Sequence, residues 1–579
     1  MTSYTSSDDI LFALKLAVGD KEMTSTGLFH DLANGFAEQT ILEAEKFAKA
    51  HLLPLNKIGD QIGARFAAGA VTTAPGWKEA YEKWKDGGWN GLSAKADYGG
   101  LALPIALNAA CTEIWNSANI AFALCPLLSH GAIEALSAHA SEELKNTYLP
   151  SIISGAWPAT MNLTESQAGT DLALLRTRAE RCENGSYRIY GQKIYITYGE
   201  HDLSENIIHL VLARLPNAPD GTHGISLFLA PKFLPDETGA FTRRNDLRCV
   251  GLEHKLGIHG SPTCTMSFGD IQGATAFLIG EENNGLACMF TMMNNARLNV
   301  GIQGVALAER ATQLALTYAQ ERKQGRALGA LVTSSISEHP DVARMLLTMA
   351  SLTSAARSIC FETAVSLDRA SREKDPAKAK AAFERASLLT PLAKAFSSDI
   401  ANETTSLGVQ VFGGMGYIEE TGAAQLMRDA RICAIYEGTN GVQAADLTMR
   451  KIMLSEGKTL QNELNDMDKI ARDSGCKDLI SAVEALNNAS IFIQQALKHH
   501  PNDALAGATP YLRLFALVRG GTLLSKAADI AKKSNDPHSM RRETLAKFFT
   551  QHFAISAPAL ANSIVYGASS TLAGVKIFN

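Results

Sequence analysis

Apolar residues recur at helical spacing towards both ends of this chain and alternate at strand spacing in its middle, so the pattern alone divides it into regions. Up to about Pro158 the spacing is mostly helical, as over residues 133–149, and Gly155-Ala156-Trp157-Pro158 breaks it. Glu183-Asn184-Gly185-Ser186 then separates residues 176–179 from Tyr187-Arg188-Ile189-Tyr190, and Asn-Gly between such runs predicts a hairpin. Residues 207–212 and 225–230 read as further strands, which predicts a small barrel or sandwich. From Met289 onward the helical period returns, with Val342, Met345, Leu346, Met349, Leu352, Ala356 and Ile359 on one stripe and Pro340 suited to a first turn. The charged segment 372–380 is expected as a connection between helices. A last helical block contains residues 479–497 and 511–530, with turn signals at His500-Pro501-Asn502 and Asn535-Asp536-Pro537. The expected fold is multidomain α+β: an N-terminal α-helical domain over 1–158, a middle β-barrel or sandwich domain over 159–285, a helical bundle over 286–454 and an extra helical extension over 455–579.

Length and composition add bounds. At 579 residues the chain exceeds what one core supports. A formal net charge of -5 gives no general attraction to nucleic acid or acidic membranes, so neither is expected as a partner. The 9 cysteines are odd in number and lack C-x-x-C spacing, which argues against a disulfide framework and a zinc site, so no metal is expected. Residues 1–16 carry Asp8 and Asp9 without a cationic or Arg-rich start, Ile577-Phe578-Asn579 is not a peroxisomal address, and no uninterrupted apolar run reaches membrane-span length. A cytoplasmic enzyme without a membrane span is the expectation.

The candidate for chemistry is Glu437, in Ile435-Tyr436-Glu437-Gly438-Thr439-Asn440-Gly441-Val442-Gln443. A carboxylate between an aromatic and a glycine, at a turn rather than on a solvated helix face, is one whose pKa can rise towards that of a general base; a surface loop is the plain alternative. Leu163-Thr164-Glu165-Ser166-Gln167-Ala168-Gly169-Thr170-Asp171 offers hydroxyls and a glycine to a ring or pyrophosphate, or forms a local turn. Lys193-Ile194-Tyr195-Ile196-Thr197 alternates as a strand does, which places Tyr195 and Thr197 on one face. Arg322-Lys323-Gln324-Gly325-Arg326 follows a helical run and could hold a phosphate or simply be a solvated helix end. Gln410-Val411-Phe412-Gly413-Gly414-Met415-Gly416-Tyr417 could bring backbone N–H groups to a dinucleotide, though a helix and not a strand precedes it.

In this order the strings resemble the acyl-CoA dehydrogenase family of flavoproteins, from Gly87-Gly88-Trp89-Asn90-Gly91-Leu92 and Tyr98-Gly99-Gly100 through Lys451. Members show L-T-E-P-x-x-G-S-D where Leu163 to Asp171 stand here, K-M-W-I-T at Lys193 to Thr197, K-L-G-I-R-G-S at Lys255 to Ser261, and Y-E-G-T at Tyr436 to Thr439. Ser166 replaces the family's proline, Thr170 its serine and Tyr195 its tryptophan. Arg322-Lys323-Gln324-Gly325 lacks the usual phenylalanine, and Asn440-Gly441 stands where Ser-Gln or Ser-Glu is common.

The resemblance implies that the bundle is a four-helix bundle and that FAD is shared across a subunit interface, in a homodimer or homotetramer. Thr164, Thr170, Tyr195 and Thr197 would contact the isoalloxazine and adjacent phosphate. Arg322, Gln410, Gly413 and Gly414 would reach the adenine half of a neighbouring subunit's FAD, and Thr439 would complete the pyrophosphate site. Glu437 would remove a proton α to a thioester while hydride leaves the β-carbon for flavin N5. Arg297, Tyr436 and Gly438 would line the acyl-CoA site, and electrons would pass to electron-transfer flavoprotein. Length and the Arg322 to Arg326 form resemble the C-terminally extended subgroup that includes 3-methylmercaptopropionyl-CoA dehydrogenase, which implies that substrate or a short or medium fatty acyl-CoA. The alternatives are an acyl-CoA oxidase that uses O2, and a family-like flavoprotein that binds nucleic acid through its extension. Against the second, the extension carries fourteen Lys and Arg and eleven Asp and Glu, so a helical cap or dimer element is the expected role.

Overall fold

The computed structural model describes residues 7–24 and 27–578. Residues 1–6 and Asn579, part of the stretches that bear on targeting, lie outside it. The chain forms two compact units. One comprises Met1–Glu43, Ile105–Ser117 and Arg297–Asn579, the other Ala44–Pro104 and Ala118–Ala296. Helix Ile105–His139 runs through both stretches and is interrupted at Asn119, whose φ of -161° and ψ of 90° are not helical. Among the described residues it is the helix long and apolar enough to cross a membrane, and 89% of its most apolar window is buried.

The second unit is built on an eight-stranded sheet. Its axis is the long strand Tyr187–Thr197, which pairs with Ala274–Ile279, then through Ile225–Pro231 and Ile208–Arg214 to Arg178–Arg181, which returns to Tyr187–Thr197 and closes a ring. The Asn184-Gly185 hairpin joins two members of that ring as the sequence predicts. Thr263–Phe268 and Leu247–Leu252 extend from the second half of Tyr187–Thr197. Both faces of the central strands are covered. Ile208, Leu210 and Leu212 pack with Leu128, Ile133, Leu149 and Met292, whereas Val211 and Ala213 face Phe228, Ile189 and Met266.

The first unit is helical. Helices Pro340–Arg372 and Pro376–Phe412 form an antiparallel pair joined by only Glu373, Lys374 and Asp375, so the expected connection over 372–380 is shorter than its charge suggests. Asp375 accepts from the Ala377 and Lys378 N–H groups and thereby starts the second helix inside the charged run. Pro340 stands in a first turn, as predicted. Helix Gly285–Glu321 approaches Pro376–Phe412 at two glycines. A Cβ on Gly301 would lie 2.6 Å from the Ala393 carbonyl oxygen, and one on Gly304 2.5 Å from that of Ser397. The extension, from helix Lys458–Ser474 to Ala568–Phe578, belongs to the same compact unit. Pro501 begins a short helix, Pro501–Ala506, where the sequence suggests a turn alone.

Candidate active site

The turn that carries Glu437 is forced by its neighbours. Helical turn Arg431–Ala434 ends where helix Asn440–Met449 is about to begin, and Thr439 caps the latter by accepting from the Val442 N–H. Between them Glu437 has a φ of 57° and Gly438 a φ of 81°. Glycine tolerates that region freely, whereas a glutamate in it carries backbone strain of about 1–2 kcal/mol. Buried Gln443 holds the turn by donating to the Glu437 carbonyl at 3.2 Å and to that of Gly438 at 3.4 Å.

Glu437 as a residue is half-buried. Oε2 is buried without a hydrogen-bond partner. Burial pushes the carboxyl up to about 7, against the pull of Arg297 and Lys394. Arg297 rides on helix Gly285–Glu321, with Nη1 3.8 Å from Asp446 Oδ2, and its Nη2 would lie 3.8 Å from a Cβ on Gly438. Tyr436 donates its hydroxyl to Gln303 Oε1, and Gln303 Nε2 donates to Asn116 Oδ1 at 3.1 Å. From helix Pro376–Phe412 comes Lys394, fully buried, whose ammonium donates to Asn440 Oδ1 at 2.9 Å.

Of the expected site residues, the structure thus brings Glu437, Gly438 and Arg297 together, with Tyr436 and Thr439 in the same turn. Lys394, Gln303 and Gln443 were not legible as members. A lone lysine in the otherwise apolar stretch Leu388-Leu389-Thr390-Pro391-Leu392-Ala393-Lys394-Ala395-Phe396 is the signal that points to the first of them.

The remaining expected residues of this unit lie in exposed stretches. Arg322 follows helix Gly285–Glu321 and donates to Gln324 Oε1 at 3.3 Å. Gln410 ends helix Pro376–Phe412 and is exposed, as are Gly413 and Gly414, at which a Cβ would meet nothing within 4 Å. In the other unit Tyr195 is 59% exposed, Thr164 and Thr197 are half-buried and Thr170 is exposed. Tyr195 reaches that position through a bulge rather than plain alternation: the register opposite Thr263–Phe268 shifts between Cys264 and Met266, and Tyr195 has a φ of 61°. Lys193, two residues earlier, is consequently buried, where its ammonium donates to Glu165 Oε1 at 2.8 Å and to the Leu163 carbonyl at 2.9 Å. Burial would raise the Glu165 carboxyl, but Lys193 and the N–H groups of Arg176 and Thr177 hold it down to about 2. The Ile194 N–H donates to the Thr164 carbonyl at 2.9 Å, so the loop is tied to the bulged strand.

Family comparisons cover the chain in four consecutive pieces. The N-terminal domain of acyl-CoA dehydrogenase matches residues 36–156, the middle domain 160–271, the C-terminal domain 283–452, and a domain described as acetyl-CoA dehydrogenase C-terminal like 458–574. The chain is 42% identical over 567 residues to 3-methylmercaptopropionyl-CoA dehydrogenase of Ruegeria pomeroyi, covering 95% of this chain and 96% of that protein. It is 35% identical over 465 residues to a butyryl-CoA dehydrogenase of Syntrophomonas wolfei, covering 78% and 76%. A solved acyl-CoA dehydrogenase complexed with FAD from Bacillus anthracis superposes with a TM-score of 0.74, covering 97% of this chain and 94% of that one, at 22% identity, a likeness of fold.

Proposed function

Because this chain belongs to the acyl-CoA dehydrogenase family, we propose that it performs FAD-dependent α,β-dehydrogenation of an acyl-CoA thioester to the 2-enoyl-CoA, with Glu437 as the general base. The observation that carries this reading is the buried, unpartnered Oε2 of Glu437 with its carboxyl pushed up to about 7. A carboxyl near neutrality is ionised often enough to accept a proton and basic enough to take it from carbon.

The residues present suit FAD. In one unit the exposed Tyr195 ring and the hydroxyls of Thr164, Thr170 and Thr197 suit an isoalloxazine and adjacent phosphate; in the other, the open backbone at Gly413 and Gly414 with Gln410 and Arg322 suits the adenine half of a neighbouring subunit's FAD, and Thr439 a pyrophosphate. When bound, that cofactor supplies the oxidant, accepting the hydride from the substrate's β-carbon. Glu437 takes the α-proton, the Glu437 backbone N–H donates to the thioester carbonyl as negative charge develops there, and Arg297, Tyr436 and Gly438 shape the acyl site. The near full-length identity to the Ruegeria enzyme supports 3-methylmercaptopropionyl-CoA or a short or medium fatty acyl-CoA as substrate. Electron-transfer flavoprotein is the proposed acceptor, a homodimer or homotetramer the proposed assembly, and the cytoplasm the proposed location. The proposed domain boundaries remain 1–158, 159–285, 286–454 and 455–579.

Anaerobic flavin bleaching by a panel of acyl-CoA thioesters tests the assignment. Glu437→Gln should keep FAD yet bleach roughly 10²–10⁴ times more slowly, because only the base is lost. Bleaching near the wild-type rate would move the base to another carboxylate. Stoichiometric peroxide release in air, without reduction of electron-transfer flavoprotein, would turn the assignment to an oxidase.

A further inference from the structure

The carboxyl of Glu437 has a charged neighbour that the proposed reaction does not use. Lys394 is fully buried in the middle of helix Pro376–Phe412, where an ammonium is costly to hold. Its hydrogen bond goes to a neutral amide, Asn440 Oδ1 at 2.9 Å. Asn440 Nδ2, with two N–H groups to give, donates to Asp399 Oδ1 at 2.7 Å and to Ser398 Oγ at 3.0 Å, with the Ala395 carbonyl at 3.2 Å also within reach. The amide therefore locks the lysine to a frame on its own helix, while its backbone begins the helix that the Glu437 turn leads into. The close approach at Gly301 and Gly304 brings helix Gly285–Glu321, with Arg297, against the same stretch of Pro376–Phe412.

We propose that Lys394, pinned by Asn440 and through it by Asp399, is a positioning residue that sets the basicity of Glu437. Ion pairing to a carboxylate would spend the lysine's charge; an amide leaves it available to act on Glu437 across the turn. The groups that bear on the Glu437 carboxyl are Arg297 and Lys394. Asp446 faces Arg297 and Asp399 faces Lys394, each partly offsetting its cation, and the hydroxyl of Tyr436 and thiol of Cys433 are held neutral by burial. Arg297 shares its carboxylate, Asp446, with Arg450 at 2.6 Å and Lys451 at 4.0 Å, whereas Lys394 meets its carboxylate through an amide. The lysine's own pKa is pulled down to about 8 by burial, so at neutral pH it still carries its proton.

The inference rests on Glu437 as the base, and two readouts separate the two ideas. The first is the carboxyl infrared band identified by its disappearance in Glu437→Gln, titrated with pH in the substrate-free protein. The second is the acid limb of the bleaching rate. Lys394→Gln, which removes the charge and keeps a hydrogen-bonding group, should move both midpoints up by about one unit, and Lys394→Arg should keep them near wild type. Lys394→Met supplies the same test should the Gln variant not fold. Midpoints unchanged in the neutral variants overturn the role of Lys394. Unimpaired bleaching by Glu437→Gln overturns the base instead, and leaves the infrared midpoint to report whether the lysine governs that carboxyl.

Discussion

Glu437 makes the protein's stability depend on pH at a single residue. Its folded carboxyl is raised from 4.5 to about 7, so the folded state holds its proton more tightly than the unfolded chain. The stabilisation is fully present below pH 4.5 and is lost as pH rises through about 7, amounting to roughly 3 kcal/mol. Glu437→Gln should therefore unfold at a higher temperature than wild type at pH 8 and nearly together with it at pH 5, as calorimetry at the two pH values would read. A wild type with equal stability at both, relative to the variant, would contradict the raised carboxyl. Glu437, Tyr436, Gly438 and Thr439 were legible because they are consecutive and make their own turn. Lys394 and Gln303 were not, since each lies on a distant helix and enters only when those helices pack.

Among the elements, helix spacing holds the site together. Gly304 lets helix Gly285–Glu321 meet Pro376–Phe412 so closely that a Cβ would come within 2.5 Å of a backbone oxygen, which no side-chain rotation relieves. Gly304→Ala should cost about 1–3 kcal/mol and lower the bleaching rate as well, because Arg297 and Gln303 sit on the helix that must move. Gly408→Ala is the contrast: its Cβ would meet nothing closer than 3.6 Å, so the helix should gain up to about 1 kcal/mol. Denaturant melts with the bleaching assay would separate the two, and equal effects would refute the spacing argument. Periodicity revealed these helices and the strand ladder because it reports which face is buried. It could not reveal the bulge at Tyr195 or the early start of helix Pro376–Phe412, which depend on a partner strand's register and on one capping aspartate.

At the scale of the molecule, the extension is bound to the bundle through buried charge. Arg519, on helix Ala508–Lys533, pairs with Glu463 at 2.9 Å and Asp466 at 2.7 Å, and Arg385 of the bundle pairs with the same Glu463 at 2.9 Å and with Glu362 at 2.8 Å. Arg541 and Arg542, further along the extension, both reach Asp9 in helix Ser7–Val18, so the two ends of the chain are joined as well. Charge counting in the sequence offered a helical cap or dimer element and did not reveal this network, since ion partners from three segments carry no common pattern. Burial alone would raise the Glu463 carboxyl, but Arg519 and Arg385 hold it down to about 2. Its contribution is present above the unfolded value of 4.5 and is lost as pH falls through about 2. Arg519→Met leaves Glu463 with one cation and should cost about 3–5 kcal/mol at neutral pH, because a buried carboxylate loses half its compensation. The same variant should unfold in acid at a pH nearer 4.5 than the wild type does. Far-UV circular dichroism through an acid titration reads that shift, and coincident acid transitions would show that the extension is held by its apolar contacts rather than by these charges.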